Sequence, residues 1–191
     1  MITFISGGAR SGKSSLAERM ALDAVSDEKP YYIATAAKDT GEEMAERIEM
    51  HRKDRGETWE TIEEPYYIDQ TLHLLPNKAI VMIDCLTVWI SSLMFSENLS
   101  PKKILKRFDW TLSIARRKEL SLFIVSNDVN EGIPIQDRHV ANYISCLEEL
   151  HKTAVREADT VLEVICGIPV DWKINGVLSK NVSMISSGGQ V

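Results

Sequence analysis

The chain has 191 residues, of which 44% are hydrophobic and 26% charged, and its net charge is −6 at pH 7. This length suits one domain with one core. The acidic balance excludes a basic surface for nucleic acid or an anionic membrane, so a polyanionic substrate must be bound by a few local positive groups. Three widely spaced cysteines and a first segment that enters an apolar run at once predict a cytoplasmic protein with reduced thiols, no signal peptide and no membrane segment.

The first predicted strand, residues 2–6, leads directly into a glycine-rich loop. The loop reads Gly7-Gly8-Ala9-Arg10-Ser11-Gly12-Lys13-Ser14 and fits the pattern G-x-x-x-x-G-K-[ST]. In this pattern backbone N–H groups surround phosphate oxygens, the lysine neutralises the β- and γ-phosphates, and the serine hydroxyl ligates Mg²⁺. A helix from about Lys13 to Val25 adds the positive end of its dipole. A turn that merely joins strand and helix is the simpler interpretation, but the order strand, loop, helix favours a nucleoside triphosphate site.

Strand and helix patterns then alternate, which predicts an α/β fold with a mostly parallel sheet flanked by helices. The further predicted strands are 31–36, 59–62, 79–84, 122–127 and, as the last one, 161–165. The further predicted helices are 41–55, 68–75, 86–95, 101–120 (with Ser100 as its cap) and 137–157. We expect one domain over residues 1–174 and a poorly ordered Ser/Gly-rich tail over residues 175–191.

An acid ends the clearest buried strand. The apolar run from Ala79 closes with Asp84, the position at which phosphate-loop enzymes carry a carboxylate for Mg²⁺. Aspartate is also favoured at the N-cap of a following helix, and the two roles do not exclude each other. We therefore predict Ser14 and Asp84 as Mg²⁺ ligands.

The charged helix 41–55 carries His51, Arg52 and Arg55. A histidine among charged residues is usually a solvated helix residue, and the spacing alone does not identify a nucleophile. Its chemistry allows the role, because a neutral imidazole attacks phosphorus and the phosphoramidate passes its group onward. The two arginines could stabilise the transferring phosphoryl oxygens. Glu63 could accept hydrogen bonds from guanine or ribose, although a solvated turn carboxylate explains it equally well.

The order of several short motifs resembles the cobinamide kinase/cobinamide-phosphate guanylyltransferase family. The resemblance covers about residues 1–170, and its most specific parts are the phosphate loop and the histidine helix. The matching motifs are Gly7–Ser14, Tyr32–Ala36, Glu43–Met44 with Arg47–Ile48, His51–Arg52, Trp59–Thr61 with Glu63, Asp84–Thr87 with Trp89, Ser126–Val129 with Gly132–Ile133, Arg138, Ala158–Asp159 and Gly167–Pro169.

The resemblance implies a bifunctional cytosolic enzyme of corrinoid metabolism with a recombinase-type P-loop NTPase fold, assembled as a homotrimer. Such an enzyme phosphorylates adenosylcobinamide with ATP or GTP. It then transfers GMP from GTP to that phosphate through a guanylylated histidine, which is His51 by position. Lys13 is then catalytic together with His51. The resemblance also implies that Ala34, Thr35 and Ala36 line the nucleotide crevice.

Four residues depart from the family pattern. Asn130 stands where the family has glycine, and Glu148, His151 and Lys152 stand where it has a glycine and then Asn-Gln in the long helix. These changes affect contacts of the later loop and leave the phosphate loop and His51 untouched. We interpret His151 as a helix-face residue rather than a second nucleophile. A simple small-molecule kinase and a nucleotide-dependent switch remain alternatives.

Overall fold

The computed structural model describes residues 1–25, 28–36, 56–128 and 137–179. Within these residues one sheet has the strand order β3-β2-β4-β5-β1-β6-β7-β8. The strands are β1 (Ile2–Gly7), β2 (Tyr31–Ala34), β3 (Glu60–Glu63), β4 (Ile80–Asp84), β5 (Ser121–Val125), β6 (Thr160–Ile165), β7 (Ile168–Ile174) and β8 (Val177–Leu178). The helices are α1 (Lys13–Asp23), α2 (Ile68–Leu74), α3 (Leu86–Ser91), α4 (Pro101–Arg117) and α5 (Arg138–Glu157).

Strands β1 to β6 pair in parallel, as the alternating pattern predicts. Strand β5 lies between β1 and β4, so the ends of β1, β5 and β4 stand side by side at one edge of the sheet. Parallel strands present their carboxyl ends at the same edge, where α/β proteins bind ligands. This edge therefore carries both the phosphate loop and Asp84.

The expectation that β6 is the last strand is wrong. A tight turn at Cys166 and Gly167 reverses the chain, and β7 pairs with β6 in antiparallel fashion. Strand β8 then pairs antiparallel with β7. Strand β8 falls inside the segment predicted as a poorly ordered tail, so the first residues of that segment belong to the sheet. The division of the chain at residue 174 remains a prediction.

Alternation along the strands divides the core between the two faces of the sheet. Phe4 belongs to the cluster that packs against helices α2 to α5, whereas the next residue, Ile5, belongs to the cluster that includes Ala17 and Ala21 of α1. Both strand residues are almost fully buried. Because successive strand side chains point to opposite faces, a strand covered by helices on both sides reads as a continuous apolar run.

Helix boundaries differ from the predictions mainly at their ends. The predicted helix 86–95 is α-helical to Ser91 and continues as a π-helical turn, Ser92–Ser96. Helix α4 begins at Pro101 as predicted, with Ser100 at its N-cap, but the Ser100 side chain makes no capping hydrogen bond. Asp137 caps α5 by accepting from two backbone amides of its first turn. The predicted helix 41–55 lies outside the described residues.

Candidate nucleotide-binding site

Two glycines of the loop after β1 occupy positions that a side chain could not. Gly7 has φ +150°, and a Cβ there would lie 2.5 Å from the carbonyl oxygen of Val164. Gly12 has φ +92° and forms the N-cap of α1. The amide of Gly167, in the turn after β6, donates to the carbonyl of Ser11 at 2.8 Å. Strand β6 and its turn thus hold the loop in shape.

Lys13 is the first residue of α1, and its ammonium lies inside the loop. Its side chain is almost buried, and Nζ donates to the carbonyl of Gly8 at 3.0 Å. Burial lowers the pKa of Lys13, while the negative charges that Cys85 and Asp84 can carry favour its protonated form. The ammonium is thus held against the backbone of the loop, where a phosphate would favour its charged form. Of the remaining predicted loop residues, Ser11 is buried, Gly8 and Ser14 are half-buried, and Ala9 and Arg10 are exposed.

Asp84 ends β4 and is held by a residue of the neighbouring strand. The hydroxyl of Tyr32 donates to Asp84 Oδ2 at 2.7 Å, and the Tyr32 ring meets Trp59 edge-on with centroids 5.7 Å apart. The interpretation of Asp84 as a helix N-cap is wrong, because Cys85 occupies that position in α3. Asp84 is half-buried.

Thr35, predicted to line the crevice, is fully buried and joins the ends of β2 and β4. Its hydroxyl accepts from the amide of Cys85 at 2.8 Å and donates to the Cys85 carbonyl at 2.9 Å. Its own amide donates to the carbonyl of Asp84 at 3.1 Å. Since the Thr35 hydroxyl is already engaged, its role in this geometry is to fix the backbone beside Asp84. The nucleotide contacts of Ala34, which is buried, and Ala36, which is half-buried, remain predictions.

A second polar cluster lies between the ends of β4 and β5. Asn127 Nδ2 donates to Thr87 Oγ1 at 3.1 Å, Thr87 Oγ1 lies 2.9 Å from Cys85 Sγ, and the hydroxyl of Tyr143 donates to the Thr87 carbonyl at 3.1 Å. Burial raises the pKa of the Cys85 thiol and raises that of Tyr143 to about 12. Both groups are neutral at physiological pH, so the cluster is a hydrogen-bonded framework and Cys85 is no nucleophile.

Glu63 ends β3 on the same edge of the sheet and pairs in register with Ala34. The strand order puts β2, β4 and β5 between β3 and β1, so at ~4.8 Å per strand Glu63 lies roughly 19 Å from the phosphate loop. A group at this distance would meet the far end of a bound nucleotide rather than its phosphates. His51, Arg52 and Arg55 lie outside the described residues, so their predicted roles stay predictions.

Sequence patterns indicated roles for the loop and for Asp84. Tyr32, Thr87 and Asn127 fall within segments that carry the family resemblance, but no pattern gave them a role, and Tyr143 was not indicated. Each of these acts across strands or helices, and no local spacing marks them. Among the described residues, no group of three or more His, Cys, Asp or Glu side chains could hold a metal ion. Nor does any described helix have the length and apolar character needed to cross a membrane.

The sequence is similar to a known protein family and to two described relatives. The family model described as cobinamide kinase / cobinamide phosphate guanyltransferase matches residues 3–172. The bifunctional adenosylcobalamin biosynthesis protein CobP of Pseudomonas aeruginosa is 32% identical over 177 residues, covering 91% of this chain and 98% of that protein. The protein CobU of Escherichia coli, of the same description, is 28% identical over 186 residues, covering 91% and 100%.

A solved structure shows a similar fold. The flagellar accessory protein FlaH from Methanocaldococcus jannaschii superposes with a TM-score of 0.52 at 12% identity, covering 91% of this chain and 78% of that one. At this identity the likeness concerns the fold alone. The predicted α/β class, with a mostly parallel sheet flanked by helices, is confirmed.

Proposed function

The chain belongs to the cobinamide kinase / cobinamide phosphate guanyltransferase family, and from this premise we propose that it carries out both reactions. In the first, the hydroxyl of adenosylcobinamide attacks the γ-phosphorus of ATP or GTP and the nucleoside diphosphate leaves. In the second, a nitrogen of His51 attacks the α-phosphorus of GTP and pyrophosphate leaves. An oxygen of adenosylcobinamide phosphate then attacks the same phosphorus, which breaks the P–N bond and gives adenosylcobinamide-GDP.

The observation that carries the proposal is the buried Lys13 side chain in a loop whose first residue, Gly7, leaves no room for a Cβ. Its Nζ contacts the carbonyl of Gly8, and a bound triphosphate would offer this cation better acceptors. Lys13 and the loop amides would neutralise the charge that develops on the leaving diphosphate or pyrophosphate. Glycine is required at position 7 because a Cβ there would collide with the backbone carbonyl of Val164, which cannot move aside as a flexible side chain could.

Residues at the loop and at β4 fit Mg²⁺. Ser14 and Asp84 offer a hydroxyl and a carboxylate oxygen, which are hard donors of the kind that Mg²⁺ prefers. No larger cluster of ligands is present among the described residues, and Mg²⁺ commonly takes its remaining ligands from water and substrate phosphates. When bound, the ion would supply charge neutralisation between phosphate oxygens. Tyr32 would keep the Asp84 carboxylate in place.

The remaining site residues take roles that suit a guanylyl transfer. Arg52 and Arg55 would stabilise the phosphoryl oxygens, and Glu63 would bind the guanine or ribose end. The distance of Glu63 from the loop supports this division, because it separates base recognition from phosphate binding. Ala34 and Ala36 are small residues at the end of β2, where a ligand can approach the backbone closely.

Transfer of label from GTP tests the proposal. The protein is incubated with GTP radiolabelled at the α-phosphate, and acid-labile, base-stable label on the protein is measured. We expect label on the wild-type protein and on His73→Ala, an exposed-histidine control on α2, but none on His51→Ala or Lys13→Ala. His51→Ala should still phosphorylate cobinamide, whereas Lys13→Ala should lose both reactions.

Three other outcomes identify the alternatives. Phosphorylation without protein label would indicate a simple kinase. Nucleotide hydrolysis that ignores added cobinamide would indicate a switch. Label that persists in His51→Ala would show that another residue is the nucleophile.

Self-association as a homotrimer and a cytoplasmic location are part of the proposal. The sheet ends in β6 to β8 with large apolar side chains that are exposed in the single chain, as expected of a surface that another copy covers. These residues are Ile165, Ile168, Trp172, Ile174, Val177 and Leu178. Light scattering should give three times the chain mass of 21.5 kDa, and a monomer mass would refute the trimer. All three cysteines are free, which suits a reducing compartment.

A further inference from the structure

His151 lies on α5 and points into the protein rather than along the helix surface. Its Nε2 is 2.7 Å from Ser126 Oγ, and its ring meets Phe4 of β1 at 5.2 Å between centroids and 60° between planes. Ser126 is fully buried. Burial lowers the pKa of His151, although the charge of Asp128 acts in the opposite direction. Because burial favours the neutral imidazole, His151 makes a short, partly buried hydrogen bond with Ser126 rather than an ionic contact.

Ser126 begins a short segment, 126–128, that lies against the phosphate loop. The amide of Ser126 donates to the carbonyl of Ile5 at 3.0 Å, and the amide of Asp128 donates to the carbonyl of Gly7 at 3.0 Å. Gly7 is the first residue of the phosphate loop. Any displacement of segment 126–128 therefore acts on the loop through its backbone.

The same segment reaches the other side of the site. Asn127, between the two anchored residues, donates its side-chain amide to Thr87 Oγ1 at 3.1 Å. Thr87 lies in the first turn of α3, just after Asp84. Because β5 runs between β1 and β4, segment 126–128 connects the phosphate loop with the first turn of the helix that follows Asp84.

We infer that His151 is a positioning residue for phosphoryl and guanylyl transfer, acting through Ser126 on segment 126–128 and thereby setting the phosphate loop relative to Asp84. The inference rests on the proposed function. His151 contacts no reacting group. Its effect is on alignment, and a misplacement of about 1 Å in a reacting constellation can cost on the order of 100-fold in rate.

Replacement of His151 by Phe and by Gln separates alignment from packing. Phenylalanine keeps an aromatic ring against Phe4 but loses the bond to Ser126, whereas glutamine places an amide near the position of Nε2. We expect His151→Phe to lower kcat of cobinamide phosphorylation about tenfold with the nucleotide Kd within about twofold of wild type. His151→Gln should recover most of kcat, and His73→Gln, exposed on α2, should equal wild type.

A double-mutant cycle with Ser126→Ala tests the route of the effect. If His151 acts through Ser126, then His151→Phe has little further effect on kcat in the Ser126→Ala background. Three results would overturn the inference. In the first, kcat of His151→Phe stays within about twofold of wild type; in the second, kcat, nucleotide affinity and thermal stability of this variant all fall together, as for a general loss of structure. In the third, the effects of His151→Phe and Ser126→Ala on kcat multiply in the double variant. An inactive wild-type protein would refute the proposed function and this inference with it, whereas an active wild type with an unaffected His151→Phe refutes the inference alone.

Discussion

Removal of one oxygen atom from Tyr32 tests whether Asp84 is held ready for a metal ion. The Tyr32 hydroxyl donates to Asp84 Oδ2 at 2.7 Å, and the ring is buried against Trp59. Tyr32→Phe deletes the donor and keeps the ring and its contact. A change in stability or activity then reports on the hydroxyl rather than on the packing of the ring.

The size of the effect follows from the charge and exposure of the acceptor. A hydrogen bond to an ionised group contributes about 1.5–3 kcal/mol to stability. Asp84 is half-buried, so water can replace part of the lost bond, and we expect the free energy of unfolding to fall by about 1–2 kcal/mol. In a domain of this size each kcal/mol lowers Tm by roughly 2–4 °C. The freed carboxylate should raise the Mg²⁺ concentration for half-maximal activity by roughly threefold to tenfold, which corresponds to about 0.7–1.4 kcal/mol.

Denaturant unfolding and a Mg²⁺ titration of cobinamide phosphorylation measure the two effects. Tyr31→Phe is the matched control, because Tyr31 precedes Tyr32 on β2 and packs against the cluster on the other face of the sheet. An Asp84→Ala background should remove most of the effect of Tyr32→Phe. A stability loss that is equal in Tyr31→Phe and Tyr32→Phe, or that persists without Asp84, would refute the assigned role of the bond.

Further substitutions test the loop and the start of the sheet. Gly7→Ala should lower the free energy of unfolding by at least ~2 kcal/mol, because its Cβ would meet backbone at 2.5 Å. Gly8 has open space around it, so Gly8→Ala should stay within about 0.5 kcal/mol of wild type. Both values are measured by denaturant unfolding without nucleotide, and equal losses would contradict the geometry. Burial disfavours the charged form of Asp159, but bonds from Arg116 and a backbone amide outweigh it and lower the pKa of Asp159 below its ordinary value of 3.8. The ionised Asp159 carboxylate therefore contributes its full stability above pH 3.8 and loses it as pH falls through the lowered pKa. Asp159→Asn should lower the free energy of unfolding by about 1 kcal/mol at pH 7, since the pair with Arg116 is partly exposed, and by progressively less below pH 3.8. A deficit that does not depend on pH would argue against the ionic contribution.

Features encoded in consecutive residues could be predicted from the sequence. The phosphate loop is one continuous segment, and the buried strand that ends at Asp84 is one apolar run. Strand β7 lacks the continuous apolar run by which the central strands are recognised. Its signal was the alternation of Ile168, Val170, Trp172 and Ile174 with Pro169, Asp171 and Lys173, which is typical of an antiparallel strand and was missed. Its pairing with β6 depends on the tight turn at Cys166 and Gly167. A glycine after a strand is equally consistent with a turn to another strand and with the end of the sheet, so this signal alone does not predict β7.

Contacts that adjust the site could not be predicted, because they join residues far apart in the chain. Tyr32 and Asp84 are 52 positions apart, and Thr35 and Cys85 are 50 apart. Each pair becomes adjacent only when β2 and β4 align in the register that sets Ala34 opposite Asp84. Because a shift of one residue would turn Tyr32 to the other face, the hydrogen bond that holds the Asp84 carboxylate depends on strand register as well as on the two residues themselves.

The departures on α5 differ in whether they make such contacts. Glu148 and Lys152 are exposed, and Lys152 forms a salt bridge with Glu149 at 2.7 Å on the helix surface. The charge that these departures add therefore meets solvent and leaves the site unaffected. His151 alone of the three reaches the carboxyl edge of the sheet, through Ser126. If both activities are retained, the residue at position 151 must still anchor the segment beside the phosphate loop, and the substitutions at 148 and 152 should be reversible without loss of turnover.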